Sequence, residues 1–433
     1  MKKIFLGIII VFLFIPMLQD NFNLFDDERP LKGSFTTTQK TPFYMRKWAE
    51  GDFQANQEKY INDNFGFRKL LVRIYNEYRY RLFKLSTNKE AIFGKDDVFF
   101  AEAYIDSYVG KDYIGHDAVI SKSKAVKRLQ DTLAKMNITF IPVFAPNKAR
   151  FYSDKIPDCY FPKKMSNYED LSKSFTELGV KHIDFNKAFE KVIHTSQYPL
   201  FSQYGIHWST YAHTWATDSI IKYVRKERNV ETPTLLWKNN IEWSDSLRDL
   251  DYDIGAAMNL LTLQLPSAKM AYPKCSFTDK EKTKPSLLVI GDSFYFGIES
   301  TGAPTEVFSD HKFLYYFEEL RSPYNPDKAA IYKLDLLEEI KKHDVIILIC
   351  TEHGLDTYGW GFIERANGLL NNELTPEQKD EFLLKAKEIE IRQNPEWMKQ
   401  IEGKAWEKGI SIDEMIKLDA KYIIDLERQE QKK

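Results

Sequence analysis

The spacing of apolar residues divides the chain into four predicted parts. Residues 1–20 read as a signal-anchor. Lys2 and Lys3 precede an uncharged run from Ile4 to Leu18, IFLGIIIVFLFIPML, the order of charge and apolarity found in export signals. No A-x-A-like cleavage site follows, and no cysteine that would carry a lipid. The expectation is a retained anchor with both lysines on the cytoplasmic side and the body exported. A cleaved signal leads to the same compartment.

Residues 21–108 form the second part. Its first stretch, up to residue 44, is polar, with Pro30, Gly33 and the run SFTTTQKTP, and reads as a linker. Residues 45–90, including FRKLLVRIYNEYRYRLFKL, have helical spacing. The segment AIFGKDDVFF predicts a hairpin turning at Gly94 to Asp97.

In the third part, residues 109–365, helices alternate with short apolar runs. A helix over 121–136 leads into a strand over 138–144, ITFIPVF. A helix over 167–178 leads into KHIDF at 181–185, and a helix over 210–226 follows a loop. A strand at 286–291, SLLVIG, comes next, and a helix over 328–341 leads into DVIILICT at 344–351. Apolar runs separated by helices predict an α/β layer fold around a parallel sheet. Such sheets place ligands at the carboxyl ends of their strands. Residues 366–433 are highly charged with helical spacing and predict a solvated helical extension.

Composition removes some classes of function. The chain has 433 residues, 43% of them hydrophobic, and a net charge of -2. A sizeable core is therefore expected, and the balance gives no support for nucleic-acid binding. The cysteines, Cys159, Cys275 and Cys350, are odd in number and widely spaced. That argues against a zinc site and against a disulfide framework.

Chemistry concentrates where the predicted strands end. The strand SLLVI runs into Gly291-Asp292-Ser293-Phe294. A turn of this kind presents a hydroxyl at the sheet edge, with its own N–H positioned to hold an oxyanion; the plainer alternative is a strand-to-helix turn with Ser293 as N-cap. A serine needs a base, and the chain has eight histidines. His207 stands in Tyr204-Gly205-Ile206-His207-Trp208-Ser209, a loop feeding a helix, where Trp208 can fix the imidazole. Packing at the helix start is the alternative. His213 is expected on a different helix face, and His353, in Thr351-Glu352-His353-Gly354, is the rival base. After ITFIPVF come Asn147, a potential oxyanion donor, and Lys148, a potential contact for a carboxylate or acetyl oxygen. A simple turn is equally consistent there.

Taken together, these motifs resemble the SGNH-hydrolase superfamily, and more closely the branch of the alginate O-acetyltransferases AlgX and AlgJ. The likeness rests on His207-Trp208 preceding Gly291-Asp292-Ser293-Phe294, and on WAEGDFQANQEKYINDNFGFR (48–68), LFKLSTNKEAIFGKDDVFF (82–100), FAPNKARFYSDKIP (144–157) and DVIILICTEHGLDTYGWGFIE (344–364). It covers most of residues 1–365. The resemblance implies an SGNH-like three-layer α/β/α fold, a location facing the periplasm or cell exterior, and Ser/His/Asp acyl chemistry. It implies O-acetyl transfer to an exported polysaccharide through an acyl-Ser293 intermediate, with His207 as base. The acetyl donor would arrive through a membrane-bound O-acyltransferase partner, and neither metal nor cofactor is needed. An acetylesterase of the same fold is the alternative.

The chain departs from the pattern twice. The family writes Asp-x-His-Trp, and its Asp orients the histidine; here that position is Gly205. Asp184, Glu352 and Asp292 are candidates for the missing acid, a Ser–His dyad is a second solution, and a silent glycan-binding or assembly protein is a third. The superfamily's usual Asn after the later strand is also missing from TEHGL, which leaves Asn147 as the candidate oxyanion donor, with Asp292, Lys148, Trp208 and Glu352 expected to line the site.

Overall fold

The computed structural model describes residues 2–22, 29–33, 38, 40–43, 45–88, 90–322, 325–331 and 334–430. Half of the predicted linker, and part of the predicted helix over 328–341, lie outside them.

A hairpin joins β1 (Ala91–Phe93) to β2 (Phe99–Ala101), with Ala91 opposite Ala101. The body then follows as β3 (Thr139–Phe144), β4 (Ile183–Asp184), β5 (Thr234–Leu236), β6 (Ile241–Ser244), β7 (Met270–Pro273), β8 (Ser276–Thr278), β9 (Leu287–Gly291), β10 (His311–Tyr315), β11 (Glu319–Ser322), β12 (Asn325–Ala330) and β13 (Val345–Cys350). Seven of these strands make the central sheet, in the order β12-β11-β10-β9-β13-β3-β4. The five from β10 to β4 are parallel, and β11 and β12 add an antiparallel edge. The sheet is therefore mixed, with the predicted parallel arrangement at its centre.

The inner strands are apolar throughout because both of their faces are covered. Side chains alternate between two cores, as the two-residue period of a strand requires. Ile141, Val143, Val289, Ile347 and Ile349 point into one, where they meet the helices Phe185–Glu190, Thr210–Arg228 and Tyr295–Ser300. Phe140, Phe144, Leu288, Ile290, Ile346 and Leu348 point into the other, under the helices His116–Lys135, Asn167–Glu177 and Phe362–Leu370. This is a three-layer α/β/α arrangement.

Residues 45–83 form three helices rather than one. Met45–Ala49 ends before Gly51 (φ 88°), and Asp52–Asn64 is separated from Arg68–Phe83 by Phe67 at φ 64°. Left-handed backbone cannot continue a right-handed helix. The predicted helix over 328–341 is likewise shorter. It begins at Leu336, where the Asp335 side chain accepts from Glu338 N, and β12 precedes it.

The pairs β5–β8 and β6–β7 are small antiparallel sheets outside the main one. With them comes a satellite core made by Tyr80, Phe99, Tyr204, Tyr252, Ile254, Met258 and Tyr272. It packs the 245–272 segment against the helix Arg68–Phe83 and the hairpin.

At the amino end, the helix Lys2–Phe22 is long and apolar enough to cross a membrane, and its described apolar side chains are largely exposed. The helices Pro376–Gln393, Pro395–Lys408 and Ile412–Glu430 bury a core of their own around Ile391, Ile401, Met415 and Ile416. The three cysteines are free.

Candidate active site

Ser293 follows directly on β9. Gly291 ends that strand, where a Cβ would come within 2.5 Å of Ile349 Cγ2, so the close approach to β13 needs glycine. Asp292 is fully buried. One carboxylate oxygen accepts from Phe294 N (3.0 Å), and the other from Thr351 N (2.7 Å) and Thr351 Oγ1 (2.8 Å). Asp292 thus ties the serine turn to the end of β13 and does not meet the imidazole. Ser293 is half-buried, and among the described residues its N–H donates to none of the turn's acceptors.

His207 arrives from the opposite side. Its loop is closed by the bridge between Phe201 and Trp208 and by Ser209 N donating to Leu200 O (2.8 Å). Ser209 then caps the helix Thr210–Arg228 by accepting from Ala212 N (3.1 Å). Trp208 is fully buried, and its indole N–H donates to Phe294 O (3.2 Å). It therefore latches the histidine loop to the serine turn rather than gripping the imidazole. Across this latch, His207 Nε2 lies 2.8 Å from Ser293 Oγ.

The second imidazole nitrogen, Nδ1, is hydrogen-bonded to Asp253 Oδ2. Asp253 was not among the predicted acids. It opens the short helix Asp253–Ala257, and its other oxygen accepts from Ile206 N (3.0 Å), one residue before the histidine. A carboxylate only accepts, so Nδ1 carries the proton and Nε2 is left to accept from the Ser293 hydroxyl. The three side chains form one continuous chain.

Gly205 explains how this carboxylate gets there. A Cβ at residue 205 would lie 2.3 Å from Leu250 O and 2.7 Å from Ser202 Oγ. An aspartate at this position would collide with the segment that delivers Asp253. Ser202 links the two strands of the contact: its hydroxyl donates to Asp251 O (2.6 Å) and accepts from Gly205 N (2.8 Å). Asp251 is fully buried behind them, accepting from Thr210 Oγ1 at 2.9 Å. Burial pushes its carboxyl up to about 7, against the opposing effect of the Thr210 bonds.

The remaining predicted residues support the site from behind. Asn147 is buried and committed: its oxygen caps Ala149 N (2.9 Å), and its amide donates to Tyr104 O (2.9 Å) and Ser107 Oγ (3.3 Å). It has no donor left for an oxyanion. Lys148 Nζ donates to three backbone carbonyls, those of Phe99 (2.7 Å), Gln203 (2.9 Å) and Gly205 (2.8 Å). It pins the histidine loop to the hairpin and does not reach toward a substrate. Its burial pulls the ammonium down to about 7, partly countered by Asp253. Glu352 is held in a two-pronged pair with Arg150 (2.6 and 2.9 Å). Asp184 accepts from Tyr168 OH (3.1 Å) and Ser172 Oγ (3.0 Å). Neither acid touches His207.

His213 is buried against Gly297, in the helix that follows the serine turn, and burial, with His207 nearby, lowers it to about 3. His353 bonds Thr351 Oγ1 through Nδ1 and stacks on Tyr104 at 4.5 Å. Thr351 already donates to Asp292, so His353 supplies the proton of that bond. Its burial lowers its pKa. Among the described residues one potential metal cluster exists, Asp310, Glu339 and His343. It lies at the amino ends of the strands, and Glu339 there is paired with Lys312.

Residues 92–256 match the family described as SGNH hydrolase-like domain, acetyltransferase AlgX. The match takes in His207 and Asp253 and stops before Ser293. Similar folds are found in the O-acetyltransferase domain of Pseudomonas putida AlgJ, at 15% identity, 66% of this chain, 99% of that one and a TM-score of 0.42. They recur in Pseudomonas aeruginosa AlgX, at 14% identity, 68% of this chain, 69% of that one and a TM-score of 0.42. Bacillus cereus PatB1 follows at 12% identity, 56% of this chain, 91% of that one and a TM-score of 0.35. Among curated proteins there is no match.

Proposed function

We propose that the chain is an AlgX-like O-acetyltransferase in which Ser293 is the nucleophile, His207 the general base and Asp253 the residue that orients the base. The observation that carries this reading is the unbroken hydrogen-bonded chain from Asp253 through His207 to Ser293. His207 takes the hydroxyl proton as Ser293 Oγ attacks the carbonyl carbon of an acetyl ester. The Ser293 N–H, which donates to none of the turn's described acceptors, stabilises the tetrahedral oxyanion in this reading. Collapse expels the donor's alkoxide, which receives the proton from His207, and leaves acetyl-Ser293. A sugar hydroxyl then gives its proton to His207, attacks the acyl carbon and releases the serine.

The acceptor is a polysaccharide hydroxyl outside the cytoplasm. The apolar helix Lys2–Phe22 supports an anchor that holds the body on that side, within reach of a membrane-bound O-acyltransferase that hands over acetyl groups. Asp253 also bears on the silent glycan-binding alternative, whose argument was the missing acid at residue 205.

Incubating the protein with p-nitrophenyl acetate and measuring intact mass tests the chemistry. One acetyl group on Ser293, lost in Ser293→Ala and His207→Ala, is the expected result. Adding an oligosaccharide separates transfer, seen as an acetylated sugar, from hydrolysis, seen as acetate alone. An unlabelled wild-type serine in folded protein would sink the proposal.

A further inference from the structure

The end of β10 lies against the serine turn. Tyr315 pairs with Gly291, and Tyr316 N donates to Gly291 O (2.9 Å). The backbone is left-handed at Tyr316 (φ 50°), Phe317 (φ 54°) and Trp360 (φ 50°). Bulky residues seldom adopt that conformation, and where it persists it clusters at ligand clamps. Here it brings rings together. Tyr316 packs on Tyr315 at 4.4 Å and edge-on against Trp360 at 5.2 Å, and both Tyr316 and Trp360 stay half-exposed.

Beyond these two rings the surface drops into a cavity of about 310 Å³. Its far wall is the helix Pro376–Gln393, which contributes Phe382, Glu381 and Lys385. Arg365, from the body, lies over the Phe382 ring at 4.0 Å and donates to Gln378 O (3.1 Å), which fixes the helix to the rim. The size falls at the lower end of small-ligand sites, which run from about 300 to 1,000 Å³. Its lining combines aromatic faces with charged groups of both signs, a pairing suited to a sugar ring. The C–H face of the ring stacks on an aromatic surface, while its hydroxyls donate to carboxylates and accept from cations.

We propose that this cavity is the acceptor-saccharide subsite, that it takes an uncharged oligosaccharide, and that the C-terminal helices therefore help select the glycan. The inference rests on the acyl-transfer reading of Ser293, and the link between the two is Tyr316, a rim residue whose N–H donates to Gly291 O, two positions before the serine. The lining is mildly acidic: Glu318, Glu364 and Glu381 stand against Arg365 and Lys385. A uronate carboxylate would be repelled there, whereas hydroxyls would not.

Two readouts keep the ideas apart. Acetylation of Ser293 by p-nitrophenyl acetate reports the chemistry alone. Acceptor binding is measured by calorimetry on the full chain carrying Ser293→Ala, using a glucose tetrasaccharide, an N-acetylglucosamine tetrasaccharide and an oligouronate of equal length. At least one neutral tetrasaccharide should bind more tightly than the oligouronate. Trp360→Ala and Phe382→Ala should each weaken that binding at least tenfold. Phe382 sits on a surface helix, so its variant remains informative even if Trp360→Ala fails to fold. Equal binding by the Phe382 variant, a preference for the oligouronate, or no binding of any probe would overturn the proposal. If binding behaves as expected but Ser293 never acetylates, the acyl-transfer reading falls and the saccharide subsite stands.

Discussion

The carboxyl ends of the parallel strands and the segment spanning residues 245–269 each supply part of one hydrogen-bonded chain, but they hold their parts by different means. Ser293 is set by the ladder. It leaves β9 between β10 and β13, and Asp292 and Gly291 lock the turn to both neighbours. Asp253 stands outside the central ladder, in a segment whose ends are joined by the small β6–β7 pair. It is placed by aromatic packing and by single hydrogen bonds: Tyr204 OH to Pro266 O (2.8 Å), Leu265 N to Tyr252 OH (3.0 Å) and Gly255 N to Tyr204 O (2.9 Å). A nucleophile needs the rigid edge of a sheet. The acid that orients its base can be carried by any segment that packs firmly on the base's own loop, and residue 205 then becomes a steric requirement rather than a source of charge.

The largest effect that tests this division is at the ladder end. Ser293→Ala should abolish the acetyl-enzyme and lower turnover of an acetyl ester by about 10⁶-fold, as loss of the nucleophile does in other serine enzymes, with unfolding by denaturant unchanged. Next comes the segment that carries Asp253. Asp253→Asn should slow acetylation by about 10⁴-fold, because the amide favours the wrong tautomer. Asp184→Asn should leave the rate near wild type, and equal rates for Asp253→Asn and wild type would remove that segment from the mechanism.

A pH effect on stability follows in size. Asp251 binds its proton up to about pH 7 in the fold but releases it near 3.8 when unfolded. The folded state therefore holds more protons in that window, and stability falls as pH rises from about 4 to 7. At roughly 1.4 kcal/mol per unit, the fall is at most about 4 kcal/mol. Glu299 titrates in the same window and the buried His213 and His311 oppose it, so denaturant titrations at the two ends should show Asp251's share as the difference between wild type and Asp251→Asn, with wild type losing more stability. The smallest effect is steric. Gly205→Ala should cost about 1–3 kcal/mol, the usual penalty of overpacking, and Gly205→Asp should lose activity although it restores the family's motif. A gain in activity from Gly205→Asp would mean that the segment carrying Leu250 does not lie where it is described.

The same contrast governs what could be read from the sequence. The strands at 139–144, 287–291 and 345–350 were legible because a sheet covered on both faces demands uninterrupted apolar runs. Ser293 and His207 were legible from their places after a strand and before a helix. Asp253 was not, because DLDYDIG has no periodic pattern and its meaning depends on a partner 46 positions away. The acids gathered in that short stretch around Tyr252 and Gly255 were the one signal on offer. Asn147 and Lys148 were found at the correct strand end but given outward roles, since sequence does not show that their polar atoms are already engaged by the backbone. The edge strand β12 was hidden by an AAIYKLDLLEEI pattern that reads as helix through its length, although Asp335 marks the true start.

The tautomer of His207 tests the division most directly. Histidine-labelled protein should give an Nδ1-protonated imidazole whose proton is held in a hydrogen bond to a carboxylate and so is protected from exchange. That signal should persist in Ser293→Ala and vanish in Asp253→Asn. An Nε2-protonated His207, or an unchanged signal in Asp253→Asn, would contradict it.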